Sequence, residues 1–325
     1  MDSQNKDLTT IEHILEALLP PHHAENDYVD DDLFEILPIV ESPKPLPFYT
    51  DDAKDKVTPF NEPMDKEAFE HQFAEIFGKD GQDFSWYEHS ELSYTPMWAE
   101  NVERSLEVTL NYRPEDSLYN ELPSILDRSA WKFEPLLFKG YPDGVLCGYA
   151  KGVTDWSTVI MLIARRPNTS PHVSCVLVHS LVGPKVMTHQ ILRSELICIL
   201  SIIRHRMRRR EWRAHKIFPV SVYTLTGQHI RITQAYFEHG KLLLHRTEPL
   251  EIPVTKDKSA QKMFLRWILS KPLDSIPKAK VVEQTTVHET SPRPALLPPL
   301  VQSPGRRDSQ SPLRGQGKPP NVSTN

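Results

Sequence analysis

The chain has 325 residues, 39% apolar and 25% charged, with 29 Pro against 12 Gly and a formal charge of −5. Its longest apolar runs, such as Val159–Ala164, fall far short of the ~20 residues a membrane-spanning helix needs, and no membrane partner is expected. Neither a heptad nor a Gly-X-Y repeat is present, so coiled-coil and collagen-like classes are excluded. No apolar stretch follows Asp2, Lys6 and Asp7. A secretory signal is therefore not expected, and the chain is placed inside the cell, in cytoplasm or nucleus. Proline at about 9% against a usual ~5% suggests one folded domain between proline-marked segments.

Charge is unevenly distributed. Residues 1–100 hold 24 acidic and 6 basic side chains, a balance of −18, and the remainder carries +13. The two halves can attract each other, or the acidic end can shield the basic half from nucleic acid. A third reading is two ordinary solvated surfaces.

Three domains are expected: residues 1–63, 64–272 and 273–325. Thr9-Thr10-Ile11-Glu12 fits a capping box with Thr9 as N-cap. Ile11, Ile14, Leu15, Leu18 and Leu19 then recur at helical spacing up to Pro20-Pro21. A helix this short is marginal alone, so it has to dock on the main domain or on a partner. Residues 25–63 mix acid and proline and read as an acidic, mobile linker. Within it, the acidic-apolar stretch Asp30–Leu37 suits a short interaction motif.

From Met64 the pattern predicts order. Phe69, Phe73, Ile76 and Phe77 form a helical face. A second helix is predicted over Met97–Leu110 and a short third over Pro123–Arg128. Val145–Ala150, Thr158–Ala164 and Val173–Leu181 read as strands. Thr188–Arg213 reads as one long, largely buried helix. Ile217–Leu225 reads as a fourth strand, and Ile230–Phe237 with Leu242–His245 as a hairpin turning at Glu238-His239-Gly240. Ser259–Ser270 closes the domain with a helix. The expected class is α+β, a mixed sheet packed by a long buried helix. Residues 276–325, with nine Pro and no aromatic residue, are expected to be a disordered proline-rich tail. Its Ser291-Pro292, Ser303-Pro304 and Ser311-Pro312 lie near arginines, where phosphorylation would change its charge.

Cys147, Cys175 and Cys198 lie in apolar stretches without metal-ligand spacing and read as buried reduced thiols. Gly140, Gly144, Gly148 and Gly152 recur every four residues. Gly140 and Gly144 are assigned to turns around Pro142-Asp143, and Gly148 to a strand. Asp143 is either a turn cap or a metal-binding carboxylate.

The order helix, Pro142-Asp143, strand, strand, long helix, strand resembles the core of the PD-(D/E)xK nuclease superfamily, also called restriction-endonuclease-like. Residues 141–245 are also similar to uncharacterised proteins of filamentous fungi. The matching pieces are Ile160–Pro167, Ile217-Phe218-Pro219-Val220 and Phe237–Leu242. The resemblance implies Asp143 as the first acid, and it places the second acid and the lysine at Ala164 and Arg166. Gln190 or Glu195 matches the helix position. With the second carboxylate replaced by alanine, the resemblance implies a degenerate, catalytically inactive core that binds or scaffolds. No cofactor is then expected. The alternative is a Mg²⁺-dependent nuclease with Asp143 as metal ligand. A further alternative is a protein-interaction module that captures a protein partner through its N-terminal helix or tail.

Arg204, Arg206, Arg208, Arg209, Arg210, Arg213 and Lys216 put seven cations at the end of the long helix. They can grip the phosphates of a nucleic acid. A solvated helix end, a mate for the acidic N-terminal region and a nuclear import signal remain as other readings.

Overall fold

The computed structural model describes residues 3–18, 28–29, 31–42, 45–46, 61–77, 105–111, 123–134, 147–148, 156–165, 170–179, 190–226, 229–251 and 259–273. All fall within the compact unit Met1–Lys278. The helices are α1 (Ser3–Leu18), α2 (Asp31–Ile36), α3 (Lys66–Phe77), α4 (Arg193–Arg208) and α5 (Ser259–Ile268), with a further helical segment at 105–111. The strands are β1 (Ile39–Glu41), β2 (Asn61–Glu62), β3 (Trp131–Phe133), β4 (Cys147–Gly148), β5 (Trp156–Ala164), β6 (Val173–His179), β7 (Val220–Thr226), β8 (His229–Glu238), β9 (Lys241–Arg246), β10 (Leu250–Glu251) and β11 (Lys271–Pro272).

Nine strands form one mixed sheet of order β1-β9-β8-β7-β6-β5-β3, with β10 on β8 and β4 on β5. β6 pairs with β7 in parallel, which requires a crossover, and α4 supplies it. β1 pairs with β9 in parallel; the other pairs in this sheet are antiparallel. The fold is therefore α+β with a mixed sheet and a long buried helix.

Both faces of the sheet are covered, which explains why β6 and β7 are buried along their whole length. One face packs Met161, Ile163, Cys175, Leu177, Val220 and Val222 against α4 and α1. The other packs Ile160, Leu162, Val176, Val178, Tyr223 and Leu225 against α3, α5 and the 105–111 segment. A bulge at Val159, between Thr158 and Ile160, shifts the alternation in β5. Thr158 and Met161 thereby reach the same face.

Several predictions from the sequence change. Thr9 is not an N-cap: it lies inside α1, and its hydroxyl donates to the Asn5 carbonyl at 3.0 Å. Glu12 pairs instead with Arg208. α1 docks on the sheet domain, with Ile11, Ile14 and Leu18 fully buried in the α4 core. The expected mobile linker contributes α2, β1 and an isolated bridge between Tyr28 and Leu192. Periodicity could not show this, because β1 is only three residues long and gains its stability from β9. Residues 123–128 form a capped turn rather than a helix: the Ser124 amide donates to Asp127 Oδ2 at 3.2 Å, and the Asp127 amide donates to Ser124 Oγ at 3.1 Å.

The long helix is shorter at both ends than predicted. It begins after Leu192 and ends at Arg208, where Arg209 turns extended and residues 210–212 form a 3₁₀ turn. The cause is Trp212, which folds back into the core. The hairpin turns at His239 and Gly240, with φ of 53° and 76°. Positive φ at both positions suits a two-residue hairpin loop, and the Gly240 amide donates to Asp7 Oδ1 of α1 at 2.8 Å. Gly148 lies in β4 opposite Trp156. Asp143, Arg166, Gly140, Gly144, Gly152 and the residues 276–325 lie outside the described residues.

Candidate functional site

The start of α4 brings Glu195 under the sheet. Glu195 occupies the third helical position, and its Oε2 accepts the backbone N–H of Leu192 at 3.1 Å. This is half of a capping box, since Leu192 has no side-chain acceptor for the other half. The strands complete the arrangement. Along β8, Ile230 and Ile232 face α5, so alternation turns Arg231 and Thr233 toward α4. Arg231 donates to Glu195 through Nη2 at 2.5 Å and Nε at 3.1 Å. Thr224 of β7 donates to Oε1 at 2.6 Å. The remaining Arg231 nitrogen, Nη1, donates to the Gln190 carbonyl at 2.9 Å.

Both ions are buried, Glu195 at 0% and Arg231 at 1% exposure. Burial alone would push the Glu195 carboxyl up. The Arg231 charge, hydrogen bonds from Arg231 and Thr224, and the more distant Arg246 together more than offset it, and the carboxyl is held below the ordinary carboxylate range. Glu195 is therefore an anion whose two oxygens are already engaged by the protein. Gln190 is on the surface, and its backbone carbonyl takes part in this network. Ala164, at the position matched to the second acid, is buried and lies opposite Trp131 of β3.

The basic end of α4 is equally differentiated. Arg206 is buried, pairs with Glu134 at 2.6 Å and lies over the Trp212 ring, 4.8 Å from its centre. Arg208 pairs with Glu12 of α1, and Arg209 with Glu211 at 3.0 Å. Arg204 is half-buried; burial and the neighbouring Arg208 lower its pKa, with Glu12 opposing. Arg210, Arg213 and Lys216 are exposed. The seven cations thus divide into a core pair, two surface pairs, one half-buried group and three solvent-facing charges. Acid from the N-terminal half does reach this end, through Glu12.

Arg231 and Glu134 were not singled out from the sequence. For Arg231 a signal existed: its face of β8 also carries Ala235 and Phe237 in the apolar core. A charge on such a face demands a partner, and an acid in the first turn of a buried helix is the natural one. Glu134 gave no such signal, because β3 is too short to show a period.

Among the described residues, no three His, Cys, Asp or Glu side chains gather as a metal-holding group. No helix among them is long and apolar enough to cross a membrane. Comparison with known protein families, characterised proteins and solved structures returns no match to this chain.

Proposed function

We propose that the chain is a catalytically inactive, nuclease-like domain that acts by binding or scaffolding. The observation that carries this reading is the engagement of Glu195. A Mg²⁺ site needs carboxylate oxygens open to the ion and to substrate phosphate. Of the positions matched by the resemblance, Ala164 offers no oxygen, and Glu195 spends both of its oxygens on Arg231, Thr224 and Leu192. Among the described residues, Ala164 and Glu195 therefore leave no carboxylate oxygen open to Mg²⁺, and no metal-assisted step is derived.

The test is direct. Purified full-length protein is incubated with DNA and RNA in Mg²⁺ or Mn²⁺, and the expected result is intact nucleic acid. Metal-dependent cleavage abolished by Asp143→Ala would establish the active nuclease instead.

Binding of nucleic acid, on this reading, runs through Arg210, Arg213 and Lys216, the cations left facing solvent. Affinity would then fall linearly with log salt, through release of phosphate counterions. A second reading, a protein-interaction module, is favoured by the exposure of Ile36 and Val40, at 78% and 43%, beside the β1 edge of the sheet. Partner capture that survives reversal of the three cations to Glu but is lost in Ile36→Asp would select it.

A further inference from the structure

Cys175 of β6 and Cys198 of α4 meet in the core between helix and sheet. Their sulfurs are 3.7 Å apart, and both side chains are essentially buried, at 1% and 0% exposure. Thr158 Oγ1, brought to this face ahead of the Val159 bulge, lies 3.4 Å from the Cys198 sulfur. We propose that Cys175 and Cys198 are an oxidative modification site, a buried dithiol that a hydroperoxide closes to a disulfide tying β6 to α4.

Geometry carries this assignment. A disulfide needs its sulfurs at about 2.05 Å, and here the two sulfurs already stand 3.7 Å apart on packed neighbouring elements. The two thiols are also unequal. The hydrogen bond with Cys175 lowers the Cys198 thiol from its ordinary value, with Thr158 adding to it and burial and the Glu195 charge opposing. Cys175 is raised well above that value, by the same bond and by burial. Cys198, the more acidic of the two, is the attacking sulfur once ionised, and Cys175 is the resolving thiol.

The chemistry balances. The Cys198 thiolate attacks a peroxide oxygen; the O–O bond breaks, and the leaving alkoxide takes up a proton as the alcohol. The resulting sulfenic acid is attacked by the Cys175 sulfur; an S–S bond forms, the S–O bond breaks, and water leaves. The dithiol is oxidised by two electrons, and the hydroperoxide is reduced to alcohol and water. Burial makes closure slow, since the oxidant enters only through local opening.

The experiment treats full-length protein with hydrogen peroxide and reads intact mass, non-reducing peptide maps and Tm. Cys147, the third cysteine, sits in β4 opposite Ser157, next to Thr158, so Cys147→Ala serves as the background. That protein is expected to lose two hydrogens in mass and to give a linked Cys175–Cys198 peptide. Its Tm should rise by roughly 5–15 °C, because the closed loop restricts the unfolded chain. Cys175→Ala in the same background should stop at an oxygen adduct on Cys198, with no rise in Tm. Thr158→Val should slow closure several-fold. Folded Cys147→Ala protein that keeps both thiols under peroxide, a link that runs through Cys147 in the native chain, or closure at an unchanged rate in Thr158→Val would each overturn the proposal.

Discussion

Replacing Glu195 by Gln separates a structural role from a catalytic one. The substitution keeps the shape of the side chain but exchanges one acceptor oxygen for a donor. Every group facing that carboxylate donates to it: the Leu192 amide, two Arg231 nitrogens and the Thr224 hydroxyl, with Thr233 further off at 3.5 Å. In either orientation the new amide N–H₂ meets an Arg231 N–H, which can only donate, and Arg231 is left buried without its counter-charge. Breaking one partner of such a pair costs about 3–5 kcal/mol, a large part of a typical 5–15 kcal/mol total. Thermal unfolding should show a fall in Tm of roughly 6–20 °C. A double replacement, Glu195→Leu with Arg231→Met, should recover at least half of the loss, because two apolar groups leave no buried charge. The pH dependence follows the same logic. The Glu195 carboxyl is lowered from its ordinary value of 4.5 in the native state. Its stabilisation is complete above that ordinary value and is lost as pH falls through the lowered native one. The Gln variant should show a flatter Tm profile across that acidic window. A Glu195→Gln protein melting within about 2 °C of the parent, with the same acid profile, would refute the reasoning.

Ile14→Ala tests the docking of α1. Ile14 is fully buried in the α4 core, so truncation should cost about 2–5 kcal/mol in urea unfolding; a loss below about 0.5 kcal/mol, the range of surface substitutions, would mean α1 is only a tethered arm. His239→Gly tests the hairpin. His239 holds φ of 53°, a strain glycine does not feel, and its side chain is largely exposed. The variant should gain about 0.5–1 kcal/mol, read as a small rise in Tm, and a fall would show that the His239 side chain stabilises the turn.

Period and punctuation in the sequence determined the long elements. The strand-to-helix-to-strand switch between Val173 and Thr226, and the hairpin at His239-Gly240, follow from alternation, a 3.6-residue stripe and a turn dipeptide. These are local signals, and they survive because each element is long enough to repeat its pattern. The tertiary structure decided the rest. β1, β2, β3, β10 and β11 are two or three residues long and exist only because a neighbouring strand accepts their hydrogen bonds. The C-terminal end of α4 was set by Trp212, whose burial under Arg206 outweighs another turn of basic helix. The role of Glu195 was set by Arg231, 36 residues away along the chain. A carboxylate in a sequence can be an acid, a metal ligand or one half of a buried ion pair. Only the fold, which decides whether a guanidinium or solvent meets its oxygens, chooses among them.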